Sequence, residues 1–60
     1  MEKIPVIDVP VGTSIADAER KLVLATLHHF EGNKTRAAKA LGISLKSIYN
    51  KLQRYDGEAA

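Results

Sequence analysis

Sixty residues allow one small domain near the lower limit for independent folding, too small to enclose a catalytic cleft. There is no cysteine, which removes disulfide staples and thiolate metal sites, and no apolar run approaches the ~20 residues of a membrane span. The net charge of +2 conceals a division: residues 1–31 hold three Lys/Arg against five Asp/Glu, and residues 32–55 hold six against none. A solvated helix ordinarily mixes signs to gain i, i+4 pairs, so twenty-four residues without a carboxylate point to a polyanionic partner.

Residues 1–13 read as a linker from an upstream domain. Pro5 and Pro10 interrupt the β-branched run "IPVIDVPVG" and exclude a helix there, leaving an extended tether or a short edge strand. The first helix is expected to begin at Ser14, whose hydroxyl can cap the first turn, with Asp17 and Glu19 suited to the positive end of the helix dipole. It should run to about Phe30 and stop at Gly32. At 100° per residue, Ile15, Ala18, Leu22 and Ala25 form one apolar stripe and Val23, Leu27 and Phe30 a second, with Leu24 further round. So small a domain is expected to cover one stripe itself. The stripe of Ile15, Ala18, Leu22 and Ala25 is then assigned to a two-fold dimer, the alternative being that later helices wrap both. His28 and His29 are adjacent, point in different directions and cannot chelate one ion together.

The second helix should follow Asn33 as N-cap and end at Leu41, with Ala37, Ala38 and Ala40 permitting close approach of a neighbour. Gly42 supplies a left-handed turn and Ile43 pins it to the core. Ser44 caps a third helix running to about Tyr55, with Leu45, Ile48, Leu52 and Tyr55 on its buried face, and residues 56–60 form a flexible tail. Two short helices joined by a turn containing Gly make a helix-turn-helix. The expected fold is therefore all-α, three helices over residues 14–55 behind an extended linker.

In such a unit the last helix enters the major groove while the helix before it crosses the backbone. Base contact falls to Lys46, Ser47 and Asn50: Asn pairs bidentately with adenine, Lys donates to guanine, and Ser discriminates weakly. Tyr49 either packs on sugar or a thymine methyl, or is a half-buried packing residue. Asn33, Thr35 and Arg36 gather where free amides favour an anion and are assigned to phosphate. Lys51 and Arg54 are assigned to the backbone flanking the groove, and Lys34 and Lys39 to long-range field.

The run "GNKTRAAKALGISLKSIYNKLQRY", preceded by "VPVGTSIADAERKLVLATL", closely resembles the C-terminal Fis-type helix-turn-helix of the nucleoid protein Fis and of NtrC-type, sigma-54-dependent activators. The Gly-Asn-x-Thr-Arg-Ala-Ala core followed by Leu-Gly-Ile-Ser carries it over Pro10 to Tyr55, and "VGTSIADAE" favours the activators. The resemblance implies a bacterial, cytoplasmic and nucleoid-associated homodimer on inverted-repeat enhancers. It also implies an AAA+ ATPase elsewhere in the parent protein that engages sigma-54 polymerase, often under a phosphorylatable receiver of a two-component system. Family backbone contacts fall on Asn33, Thr35, Arg36 and Lys51, and base-reading positions on Leu45, Ser47 and Tyr49. Many members carry arginine at the place of Leu45, so the half-site does not transfer. No cofactor, metal or enzymatic role is expected of the chain: it has no phosphate loop, no metal-ligand set and no nucleophile with a base. Two other classes compete. A Fis-like architectural bender would show a small specificity ratio and a strong bend, and a pure dimerisation module would show no salt-dependent DNA binding.

Overall fold

A turn across Pro10–Thr13 sets the direction in which the chain starts its first helix. The Thr13 amide and hydroxyl both donate to the Pro10 carbonyl, at 3.1 and 2.7 Å, and Gly12 adopts φ 97°, a conformation that costs glycine little. The computed structural model describes residues 5–59. It contains three helices, α1 (Ile15–His29), α2 (Lys34–Leu41) and α3 (Leu45–Ala59), and no strand among the described residues. Of the two conformations open to the linker, residues 5–9 take the unpaired one. Pro5, Val6 and Ile7 line a cleft with Leu22 of α1, Phe30 just after that helix and Leu41 of α2. The expected linker residues 1–4 lie outside the described residues.

Each helix starts where its cap residue sits. Ser14 Oγ accepts the Asp17 amide at 3.1 Å, Asn33 Oδ1 the Arg36 amide at 3.1 Å, and Ser44 Oγ the Ser47 amide at 3.1 Å. Each bond satisfies one of the orphan donors of a first turn, worth about 1 kcal/mol. α2 ends in the paired pattern of a left-handed cap. Ile43 N–H donates to Ala38 O at 3.0 Å and Gly42 N–H to Lys39 O at 3.2 Å, with Gly42 at φ 75°.

α1 closes in the same way but not on its glycine. Gly32 N–H reaches Leu27 O and Glu31 N–H reaches His28 O, at 2.9 and 3.0 Å. Glu31 therefore takes the left-handed position, at φ 55°, and Gly32 follows at φ 83°. A side chain in that region costs about 1–2 kcal/mol. The helix itself stops at His29, with Phe30 as its C-cap.

α2 packs against both α1 and α3. Ala37 and Ala38 are its buried residues, and their small side chains let Val23 of α1 and Ile48 and Tyr55 of α3 close on them. Leu27, Phe30, Leu41, Ile43 and Leu52 pack round this centre. Of the two stripes on α1, the core thus takes Val23, Leu27 and Phe30. The later helices do not wrap the other: Ile15 is 86% exposed and Leu22 48%, while Ala18 and Ala25 are half-buried and Leu24 is exposed.

Two expectations for α3 are corrected. Leu45 does not join the buried face but is 41% exposed, because it opens the helix a turn before Ile48 reaches the core. The helix also continues to Ala59, beyond its expected end near Tyr55; of the tail assigned to residues 56–60, residue 60 lies outside the described residues. Gly57 has no left-handed φ, and a glycine that keeps helical geometry weakens a helix by about 1 kcal/mol without ending it.

Candidate nucleic-acid interface

The outer surface of α3 follows from what its inner surface must bury. With Ile48 and Tyr55 in the core, the 3.6-residue period turns Lys46 and Asn50 to the opposite side, with Leu45 and Tyr49 on one flank and Ser47 and Arg54 on the other. Lys46, Asn50, Leu45 and Tyr49 are all exposed, and Ser47 is half-buried. Ser47 Oγ receives a hydrogen bond from Ser44 Oγ at 3.0 Å, so its own hydroxyl proton stays available for donation. Tyr49 is 53% exposed, with the Lys34 ammonium 5.8 Å from its ring centroid. That distance is within cation–π reach. Lys34, assigned only a long-range field, therefore has a local partner on α3.

The start of α2 supplies the second part of the surface. Asn33, Thr35 and Arg36 are exposed at the helix N-terminus. Asn33 spends its Oδ1 on the cap, which leaves its amide NH2 as the group that can face an anion. Lys39 is exposed one turn further on. The structure thus brings Asn33, Thr35 and Arg36 together at one helix end, as their spacing predicts.

Lys51 and Arg54 are placed differently from a pair of free backbone contacts. The Lys51 ammonium donates to Glu19 Oε1 of α1, and Arg54 Nη2 lies 3.5 Å from Glu19 Oε2. Arg54 also lies 5.8 Å from the Tyr55 ring centroid. Glu19 is the residue that the sequence reading missed, having assigned it to the helix dipole alone. Its signal was available: it precedes Val23 by four residues and so shares the core-facing stripe, where an acid needs a partner. The hydrogen bond from Lys51, with the charges of Lys51 and Arg54, holds the Glu19 carboxyl below its ordinary value against the opposing effect of burial. A depressed carboxylate contributes stability that is complete above its unfolded value and is lost as pH falls through the folded one. Thermal melts taken across the acid range should show this loss in the natural chain and a flatter profile in Glu19→Gln. Parallel profiles would mean that the ion pairs contribute nothing.

The family model described as "Bacterial regulatory protein, Fis family" matches residues 14–55. The transcriptional regulatory protein FlbD of Caulobacter vibrioides is 47% identical over 45 residues, covering 75% of this chain and 10% of that protein. The transcriptional regulatory protein ZraR of Klebsiella oxytoca is 41% identical over 54 residues, covering 83% and 12% respectively. Its namesake in Salmonella typhimurium is 45% identical over 40 residues, covering 67% and 9%. The chain spans about a tenth of the length of these curated relatives. No solved structure matches it.

Proposed function

Since the chain belongs to the Fis family of bacterial regulatory proteins, and is a DNA-binding unit of transcription regulation, we propose that it binds inverted-repeat enhancer sites as a homodimer. In this reading it serves a sigma-54-dependent activator whose ATPase and polymerase contacts lie in other domains, and it works in the bacterial cytoplasm. The chain itself carries recognition and no catalysis. The likeness to FlbD and ZraR, both transcriptional regulatory proteins by name, supports an activator over a nucleoid architectural protein.

The reading rests above all on one observation. Lys46, Tyr49 and Asn50 are exposed on the side of α3 away from Ile48 and Tyr55, at the N-terminal half of a helix that fits a groove about 12 Å wide. Leu45, Lys46, Ser47, Tyr49 and Asn50 are proposed to face base edges. Asn33, Thr35 and Arg36, with Lys51 and Arg54 beside them, are proposed to face phosphate. Ile15, Ala18, Leu22 and Ala25 form the stripe assigned to the dimer. Two such units related by a two-fold axis would place their third helices about one helical turn of DNA apart, about 34–36 Å, or a multiple of it.

In vitro selection of bound duplexes tests the proposal directly, because half-site, spacing and symmetry emerge together. An inverted repeat is the expected product. Selected sequences without symmetry, bound scarcely better than random duplex and strongly bent, would favour the architectural reading instead. The division of labour has its own check. Asn50→Ala should cost about 1–3 kcal/mol on the selected site and little on random duplex, relaxing preference at one base pair. Arg36→Ala should weaken both alike and reduce the salt slope by about one unit. Equal losses for the two variants on both duplexes would refute the assignment.

A further inference from the structure

We infer that Glu19 is a positioning residue for DNA binding, seating the Lys51 ammonium and the Arg54 guanidinium at the edge of the recognition surface before any phosphate arrives. The inference rests on the DNA-binding reading and adds to it a residue on α1, a helix otherwise assigned to packing and dimerisation.

The geometry is specific. Ser47, Lys51 and Arg54 follow one another at i, i+4 and i+7, and so form a single ridge along α3 beside the Lys46 and Asn50 face. Glu19 divides its two oxygens between the two cations of that ridge, Oε1 to Lys51 and Oε2 to Arg54. The side chains of Lys51 and Glu19 are 24% and 32% exposed, so salt screens their contact less than it would a fully solvated pair. Arg54, at 57%, is the looser arm.

These contacts need not consume the cations. An ammonium has three donors and a guanidinium five, and one carboxylate engages a fraction of them. One negative charge against two positive charges also leaves the trio net cationic. What the carboxylate removes is freedom. Lysine and arginine are among the side chains that lose the most rotamer entropy when fixed, and a cation already held at the groove edge loses less on meeting phosphate. Glu19 also ties α1 directly to the recognition helix, so the ridge is fixed relative to the α1 face assigned to the dimer.

The test is a double-mutant cycle on the 60-residue chain, read as binding to a random-sequence duplex and to a selected one. Glu19→Gln is expected to weaken binding to both by about two- to tenfold. In a Lys51→Met, Arg54→Met background the same change should have no further effect, because the groups it positions are gone. Glu19→Asp, which keeps the charge but shortens the reach, should fall between the natural chain and Glu19→Gln. It provides a second reading should Glu19→Gln melt below working temperature. Tighter binding by Glu19→Gln with a steeper salt slope would overturn the inference, since the carboxylate would then compete with phosphate. An undiminished loss in the doubly substituted background would overturn it too, by showing an effect through the fold. Unaltered binding by Glu19→Asp alongside weakened Glu19→Gln would reduce the role to charge alone and sink the positioning claim. If the natural chain binds neither duplex, the DNA-binding reading fails first, a result distinct from all of these.

Discussion

Ile48→Ala is expected to leave the chain largely unfolded at ordinary temperature. Ile48 has no exposed surface and lies in the cluster where α1, α2 and α3 meet, with Val23, Ala37, Ala38 and Tyr55. Truncating such a side chain costs about 2–5 kcal/mol, part lost transfer energy and part cavity. The neighbours cannot collapse into the space, because two of them are alanines already on the helix that supports the site. A domain of this size has about 3–9 kcal/mol of total stability, at 0.05–0.15 kcal/mol per residue. The loss is therefore of the same order as the whole. Circular dichroism should show a melting midpoint lowered by about 8–40 °C, at roughly 4–8 °C per kcal/mol. A shift of a few degrees would mean that the three helices do not share one cooperative core.

The second large effect is expected at Leu22→Asp, and it should be visible in DNA binding rather than in folding. Leu22 is half exposed and Ile15 almost wholly so, which means that little of the core depends on this stripe. In the proposed dimer the interface is isologous, so one substitution places a charge on both sides of the axis. Sedimentation equilibrium should report a monomer. Binding to an inverted repeat should fall by about 10²–10⁴, the advantage conferred by linking two weak sites, while binding to a single half-site should stay near that of the natural chain. Equal affinity of the natural and substituted chains for the full repeat would remove the stripe from the dimer and return it to the surface.

These two predictions separate what α1 contributes on its two sides. Val23, Leu27 and Phe30 pack into the core, and Ile15, Ala18, Leu22 and Ala25 form the stripe proposed for the dimer. On the edge of the core-facing stripe, Glu19 touches α3 itself. The cationic run of residues 32–55 therefore does not act as six equivalent charges. Arg36, Lys39 and Lys46 are exposed, Lys34 lies over Tyr49, and Lys51 and Arg54 are held by a carboxylate from the acidic half of the chain.

Much of this architecture was legible in the residues alone, for a physical reason. Ser14, Asn33 and Ser44 cap helices through bonds to amides three residues on, and Gly42 turns the chain through its own φ. Such interactions span a few residues, so their signals are local in sequence. The 3.6-residue period likewise predicted two stripes on α1, and the lack of acids from 32 to 55 gave the surface its sign. The tertiary structure decided the rest. Which stripe is buried depends on where α2 lies, and the exposure of Leu45 depends on where α3 meets the core. The pairing of Glu19 with Lys51 joins residues thirty-two positions apart. Glu31 takes a left-handed conformation ahead of Gly32, which takes one as well. A charge is written in the sequence, but the charge it faces is set by packing, and packing is a property of all three helices at once.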